Sequence, residues 1–225
     1  VPAETRRKMI EGRHLSKDEM VTWWRILNNK GWGVSHWPTE YGGTGWTSVQ
    51  HYIFNEELQA YPAPQPLAFG VSMVGPVIYT FGNEAQKKQW LPKMASGELV
   101  GAIAMTEPAA GSDLQGIKTS ALSDGEGGYL INGSKTFITN GQNADVVICA
   151  TKTDPRAGAK GTTLFLVDTT LPGFKRGRNL EKIGQHSADT SELFFDNVRV
   201  PESAVLGRVG NGFGHLVDEL PRERL

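Results

Sequence analysis

The sequence has one cysteine and no long uninterrupted hydrophobic run, and each absence excludes a class of protein. Cys149 is the only thiol among 225 residues, so no disulfide can form within the chain. It lies in the apolar stretch 146–150, which indicates a buried small side chain and not a reactive thiol. The longest apolar stretch, residues 67–81, contains two glycines and a proline and is shorter than the roughly 20 residues that span a bilayer. This stretch predicts a buried helix and no membrane span.

An excess of charge of either sign is also missing. The 23 lysines and arginines nearly balance the 24 aspartates and glutamates, which leaves a net charge of -1. This balance gives no electrostatic reason to expect a nucleic-acid partner. The chain starts with Val-Pro and shows no basic segment followed by an apolar one, so the sequence predicts a soluble, cytoplasmic protein.

The motifs of common nucleotide, metal and hydrolase sites are absent from the sequence. Residues 43–48 have serine where the third glycine of a dinucleotide fingerprint should stand, and no Gly-Lys-Ser/Thr phosphate loop occurs. The histidines are scattered without metal-ligand spacing, so no metal site is predicted. The absence of a Gly-x-Ser-x-Gly elbow weakens the interpretation as a hydrolase.

The first part of the chain contains sequence patterns that mark the starts of helices. A side-chain acceptor followed three residues later by Glu or Gln marks a helix start, and this pattern occurs at Ser16 with Glu19, at Thr47 with Gln50 and at Asn83 with Gln86. Apolar residues between these starts recur near helical spacing, so each helix is expected to bury one face. The sequence predicts an all-helical domain over residues 1–97.

From Leu99 the sequence changes to short β-rich runs separated by glycine and aspartate clusters. This alternation of short β-rich runs with turn residues predicts an antiparallel β-barrel or sandwich domain over residues 98–207. The Asn132-Gly133 pair is typical of a tight hairpin turn. Residues 208–225 start another helix, so the predicted fold class is α+β and multidomain, with a third, helical unit beginning at the end.

A loop of small residues directly follows the first apolar β-run. Residues 105–113 read Met-Thr-Glu-Pro-Ala-Ala-Gly-Ser-Asp, and small residues let a backbone approach a ligand closely. Backbone N–H groups together with the Ser112 hydroxyl could hold a phosphate. On local grounds alone, an ordinary turn after Pro108 is the simpler interpretation.

Four motifs in fixed order change that interpretation. They are Thr-Glu-Pro-x-Ala-Gly-Ser-Asp at 106–113, Ile-Asn-Gly-x-Lys-x-Phe-Ile-Thr-Asn at 131–140, Gly-Gln-x-x-x-Asp-Thr at 184–190 and Val-x-Val-Pro at 198–201. This order is similar to that of the acyl-CoA dehydrogenase family, and residues 37–43 and 81–92 also resemble its amino-terminal domain. The resemblance implies a helical domain, a β-barrel and a carboxy-terminal four-helix bundle that this chain only begins, with FAD between barrel and bundle.

The resemblance also implies the residues that contact the flavin. They are Ile103, Met105, Thr106, Gly111, Ser112, Phe137, Ile138 and Thr139. Thr106 and Thr139 would donate to the pyrimidine end of the ring, where negative charge builds on reduction. Phe137, where many relatives have tryptophan, would keep water from the hydride path. Thr106, Ser112 and Thr139 are therefore expected to face one groove, although without the resemblance a branched strand residue is the simpler interpretation of each threonine.

The implied reaction is α,β-dehydrogenation of an acyl-CoA thioester, which needs a carboxylate base. In the long-chain and isovaleryl branches the base comes early in the bundle, and Glu223 in Glu-Leu-Pro-Arg-Glu-Arg-Leu matches that position. Arg224 matches an arginine near the substrate, and Ser112 is a second implied substrate contact. A common family aspartate is not matched, because Pro221 and Arg222 stand in that neighbourhood. Local sequence alone favours a solvated glutamate at position 223.

The resemblance further implies partners, and it leaves two alternative functions open. The electron acceptor would be an electron-transfer flavoprotein, and the protein would form a homodimer or homotetramer. One alternative is a flavin oxidase of the acyl-CoA oxidase type, which would pass electrons to oxygen. Another is a non-catalytic subunit of a hetero-oligomeric acyl-CoA dehydrogenase.

Overall fold

Five helices form the amino-terminal part of the computed structural model, which describes residues 1–64, 69–186 and 188–224, with side chains of the last helix described as far as Glu219. The helices are α1 (Ala3–Ile10), α2 (Lys17–Asn29), α3 (Ser48–Ala60), α4 (Gly75–Phe81) and α5 (Glu84–Ser96). A π-helical stretch, Gly70–Val74, leads into α4. Pro76 has no N–H to donate to the carbonyl four residues before it, which favours an irregular turn at this place.

The three predicted helix starts are confirmed. Ser16, Thr47 and Asn83 each accept a hydrogen bond from the backbone N–H three residues later, and the Glu or Gln at that position accepts one in return. The predicted buried helix over residues 67–81 is confirmed for residues 69–81, while residues 67 and 68 lie outside the described residues.

Eight strands and a final helix follow in the described part of the chain. The strands are β1 (Gly101–Ala104), β2 (Ser120–Ser123), β3 (Gly128–Thr139), β4 (Val146–Lys152), β5 (Thr162–Asp168), β6 (Phe174–Asn179), β7 (Thr190–Pro201) and β8 (Val205–Leu206). They form one sheet in the order β6-β7-β3-β2-β4-β5-β8, with β1 paired to β4. The final helix, α6, spans Gly212–Arg224.

The predicted antiparallel barrel is wrong in two respects. Strand β1 runs parallel to β4 along its whole length, and β2 meets β4 in parallel at one residue pair, so the sheet is mixed. Among the described residues the sheet is also open, with β6 and β8 at its edges. An apolar β-rich run indicates a strand but not its direction. Both β1 and β4 are buried at every residue, as strands in parallel arrangements usually are.

The predicted hairpin turn at Asn132-Gly133 is also wrong. Both residues lie inside β3, which continues for 12 residues, and the register against β7 shifts between Ile131 and Gly133. Gly133 has a φ of 149°, and a Cβ built on it would overlap Thr119. Here glycine permits close packing at a strand irregularity and does not make a turn.

The helices and the sheet share a hydrophobic core. One buried cluster contains Trp24, Trp37 and Ile78 from the helical part together with Ile148 and Leu164 from the sheet. A second cluster fills the other side of the sheet. Side-chain packing continues across residue 97. The predicted domain borders after residues 97 and 207 stay predictions. None of the helices in the described ranges has the length and hydrophobicity to cross a membrane.

Candidate active site

A cavity of about 240 Å³ lies between the π-helical stretch, strand β1 with the loop after it, and helix α6. Four of the predicted flavin residues line it, namely Ile103, Met105, Gly111 and Ser112. The remaining walls come from Ser72, Met73, Val77, Asp113, Leu114, Gln115, Phe213, Leu216, Val217 and Glu219. The lining is mainly apolar, with polar groups from the loop and from α6, which is the usual composition of a small-molecule site.

A buried ion pair anchors the loop that borders this cavity. Lys135 Nζ lies 2.9 Å from Glu107 Oε1, and the side chain of Lys135 is fully buried. The same ammonium donates to the Met105 carbonyl at 3.0 Å. Glu107 also accepts hydrogen bonds from the backbone N–H groups of Lys118 at 2.7 Å and Thr119 at 2.9 Å. The loop is therefore tied to β3 by charge-assisted hydrogen bonds.

These contacts decide the ionisation of Glu107. Burial alone raises the pKa of a carboxyl group, but the hydrogen bonds from Thr119 and the positive charge of Lys135 outweigh burial and lower the pKa of Glu107 below its usual value. The carboxylate is thus charged at neutral pH, and the pair is an ion pair.

The structure brings the two predicted flavin segments side by side. Thr136 N–H donates to the Thr106 carbonyl at 2.9 Å, which joins the loop to β3 just before Phe137. Thr106 and Thr139 are both partly buried, and neither lines the cavity described above. Ile138 is 2% exposed and packs into the sheet core, so only its backbone can reach a ligand. The shared groove for Thr106, Ser112 and Thr139 stays a prediction.

Phe137 adopts an unusual backbone conformation. Its φ is 58°, although its side chain is large, and the residue is 66% exposed. The register of β3 against β7 shifts between Lys135 and Ile138, so Phe137 lies at a bulge. Strained backbone and bulges are concentrated at functional sites, where they direct a side chain outwards. Phe137 thus presents an exposed aromatic side chain at this bulge, and its role beside the flavin stays a prediction.

The predicted base and its neighbour lie at the end of α6. Glu223 and Arg224 belong to its last turn, but their side chains lie outside the described residues. Glu219, four residues earlier, lines the cavity. Sequence reasoning did not single out Glu219, nor did it pair Glu107 with Lys135. Lys135 follows Glu107 by 28 positions, and only the positions of both residues inside family-like motifs could have drawn attention to them.

Two models of known protein families match most of this chain. Residues 3–98 match the family model described as acyl-CoA dehydrogenase, N-terminal domain, and residues 102–198 match acyl-CoA dehydrogenase, middle domain. The chain therefore belongs to the acyl-CoA dehydrogenase family.

Particular relatives agree with this membership. The mitochondrial long-chain specific acyl-CoA dehydrogenase of Sus scrofa is 48% identical over 189 residues, which is 82% of this chain and 44% of that protein. The mitochondrial isovaleryl-CoA dehydrogenase of Arabidopsis thaliana is 38% identical over 91% of this chain and 50% of its own length. The crystal structure of acyl-CoA dehydrogenase from Geobacillus kaustophilus aligns with a TM-score of 0.84 at 40% identity, covering 97% of this chain and 57% of that one. This chain thus spans about half the length of these relatives.

Proposed function

We propose that the complete protein catalyses the FAD-dependent α,β-dehydrogenation of an acyl-CoA thioester. The observation that carries this proposal is the cavity in which Ile103, Met105 and Ser112 lie opposite α6, beside the loop anchored by Lys135 and Glu107. Two relatives named for long-chain and isovaleryl-CoA dehydrogenation support acyl-CoA as the substrate class. In this reaction a carboxylate removes the α proton while the β hydrogen leaves as hydride.

The chemistry of the residues in the loop after β1 and in β3 is suited to a flavin. Phe137 offers an exposed aromatic ring on strained backbone, and Gly111 and Ser112 form an exposed loop of small residues that a phosphate arm could approach. FAD, when bound, supplies the hydride acceptor. The hydroxyl groups of Thr106 and Thr139 are proposed to donate toward the pyrimidine end of the ring, where they would stabilise negative charge.

The apolar wall is proposed to hold the acyl chain. Met73, Val77 and Leu216 line the cavity from the helical side and α6, and an apolar enclosure keeps water from the reacting carbon atoms. Ser112 at the cavity edge and Arg224 are the proposed polar contacts of the substrate.

The proposed α-proton base is Glu223. A carboxylate in a dry acyl pocket has its pKa raised toward the working pH, where proton abstraction is efficient. Glu219 is the natural comparison, because it lines the cavity in the same helix one turn earlier.

The test compares Glu223→Gln with Glu219→Gln in the complete protein. Because a general base typically contributes about 10² to 10⁴ in rate, Glu223→Gln should retain bound FAD yet reduce it with acyl-CoA at least about 100-fold more slowly under anaerobic conditions. Glu219→Gln should stay within about tenfold of the wild-type rate. If Glu223→Gln reduced its flavin at the wild-type rate, the base assignment would be wrong. A loss confined to Glu219→Gln would move the base to position 219.

The electron acceptor and assembly are proposed from family membership. We propose an electron-transfer flavoprotein as acceptor and a homodimer or homotetramer as the assembly. Rapid reoxidation of the reduced protein by oxygen would instead support the oxidase alternative. A copurifying paralogue that carries all the turnover would support the non-catalytic subunit. The cytoplasmic location stays a prediction.

A further inference from the structure

The ammonium of Lys135 is bound to the loop through two acceptors. It donates to the Met105 carbonyl at 3.0 Å and to Glu107 Oε1 at 2.9 Å. The carbonyl of Met105 belongs to the same peptide group as the N–H of Thr106. A cation at a carbonyl oxygen draws electron density from the whole peptide, so that its N–H becomes a stronger donor. Lys135 therefore polarises the Met105–Thr106 peptide, whose Met105 lines the cavity.

Stability alone is a weak explanation for this buried pair. Removing two charges from water is costly, and apolar residues of similar volume often stabilise a buried site as well or better. The side chain of Lys135 is fully buried and that of Glu107 is 7% exposed. The pair also lies between the two segments that carry Thr106 and Phe137. Its position points to a role in the chemistry of the site.

We propose that Lys135 is a positioning residue that raises the reduction potential of the bound flavin by polarising the Met105–Thr106 peptide. The proposal rests on the proposed function, since it assumes that FAD binds beside Thr106. Reduction adds negative charge to the pyrimidine end of a flavin, so a stronger N–H donor there favours the reduced form. Glu107 neutralises the lysine in the buried site and fixes its ammonium on the Met105 carbonyl.

Two variants separate polarisation from the net charge of the pair. Lys135→Met leaves the Glu107 carboxylate unpaired, which by itself disfavours a reduced flavin and destabilises the fold. The double variant Lys135→Met with Glu107→Gln removes both charges, so the site keeps the net charge that it has in the wild type. Any fall in potential that persists in the double variant belongs to the lost polarisation. The double variant also avoids a buried, unpaired carboxylate if the single variant fails to fold.

Lys152 supplies the matched control. It is a buried lysine in strand β4 of the same sheet, and its ammonium donates to the Gly158 carbonyl at 2.6 Å and to Thr162 Oγ1 at 3.1 Å. Gly158 lies in the connection between β4 and β5 and Thr162 is the first residue of β5, so neither acceptor belongs to the Met105–Thr106 peptide. Lys152→Met thus removes a buried lysine without touching the polarised peptide.

The experiment measures the two-electron midpoint potential of bound FAD and the dissociation constant of oxidised FAD in the complete protein. The double variant should bind oxidised FAD within about threefold of the wild type. It should lose about tenfold in its preference for reduced over oxidised flavin, which is about 30 mV for a two-electron couple. Lys135→Met should lose more, and Lys152→Met much less.

Three results would overturn the proposal. In the first, the double variant has the wild-type potential, so that any change in Lys135→Met reflects only the unpaired Glu107. In the second, Lys152→Met shifts the potential as far as the double variant does. In the third, the wild-type complete protein binds no FAD, which would overturn the proposed function as well. FAD binding with an unchanged potential in the double variant would overturn this inference alone.

Discussion

At the scale of single residues, Glu107 shows how contacts decide the charge of a buried group. Burial raises the pKa of its carboxyl group, whereas Thr119, Lys118 and Lys135 together lower it. A carboxyl group whose pKa is lower in the folded than in the unfolded state stabilises the fold above the unfolded value, here near 4.5. This stabilisation disappears as the pH falls through the folded pKa.

The residue-scale prediction concerns Glu107→Gln. At pH 7 this variant should lose about 3 kcal/mol of unfolding free energy, because Lys135 is left as an unpaired buried charge. The difference from the wild type should start to shrink below about pH 4.5, where the unfolded wild-type chain takes up the proton, and should disappear once the pH falls below the lowered pKa of the folded carboxyl group. Urea unfolding at a series of pH values measures both quantities.

Glu126→Gln is the control for this prediction. The side chain of Glu126 is 81% exposed and lies 3.7 Å from Arg199, so its loss should change stability by less than about 0.5 kcal/mol. A Glu107→Gln difference that stayed constant down to acid pH would show that the ion pair does not determine the stability at this position.

At the scale of elements, two helices begin with the same capping pattern in different surroundings. Both Thr47 with Gln50 and Asn83 with Gln86 form reciprocal capping boxes. Gln50 is exposed. Gln86 is buried, and its amide also donates to the Ser203 and Val205 carbonyls at 2.9 and 2.8 Å. The cap of α5 therefore also fastens this helix to the start of β8.

The element-scale prediction compares Gln50→Ala with Gln86→Ala. Loss of a capping side chain typically costs about 1 kcal/mol, which is the expected cost of Gln50→Ala. Gln86→Ala should cost roughly 2 to 4 kcal/mol, because two partly buried hydrogen bonds to backbone carbonyls are lost as well. Urea unfolding measures both variants. Equal costs would mean that the contacts with Ser203 and Val205 contribute nothing to stability.

At the scale of the whole molecule, the helical part and the sheet are joined by one core. Trp37 packs in the same buried cluster as Val146 and Ile148 of β4, and its indole N–H donates to the Val71 carbonyl at 2.7 Å. Continuous packing of this kind makes the two parts unfold together. Gly75 lies against the Trp37 ring so closely that an added Cβ would overlap it.

The whole-molecule prediction uses Gly75→Ala. Overpacking against Trp37 should destabilise the protein by about 1 to 3 kcal/mol. Hydrogen exchange should show the same loss of protection in β4 as in α4, because both open in one cooperative step. Gly184→Ala is the control, since nothing lies within 4 Å of a Cβ at that position, and it should change protection little. Loss confined to the helices would show that the two parts open independently.

Local chemistry explains why much of the chain could be read without a structure. A capping side chain bonds to a backbone N–H three residues away, so the starts of α2, α3 and α5 depend on neighbours in sequence alone. Burial of Cys149 followed from its apolar neighbours in the same way, and burial raises the pKa of its thiol to about 11. The order of motifs was sufficient to indicate the family, because each motif is a short contiguous segment.

Contacts between residues far apart in sequence determine the features that local sequence did not predict. The parallel pairing of β1 with β4 depends on where the chain goes between residues 104 and 146, and composition does not encode that path. Gly133 packs against Thr119 inside a strand although its local sequence favours a turn. Lys135 meets Glu107 only because β3 and the loop after β1 pack together. Strand direction, close packing and buried charge pairing depend on residues far apart in sequence, and only the tertiary structure brings such residues together.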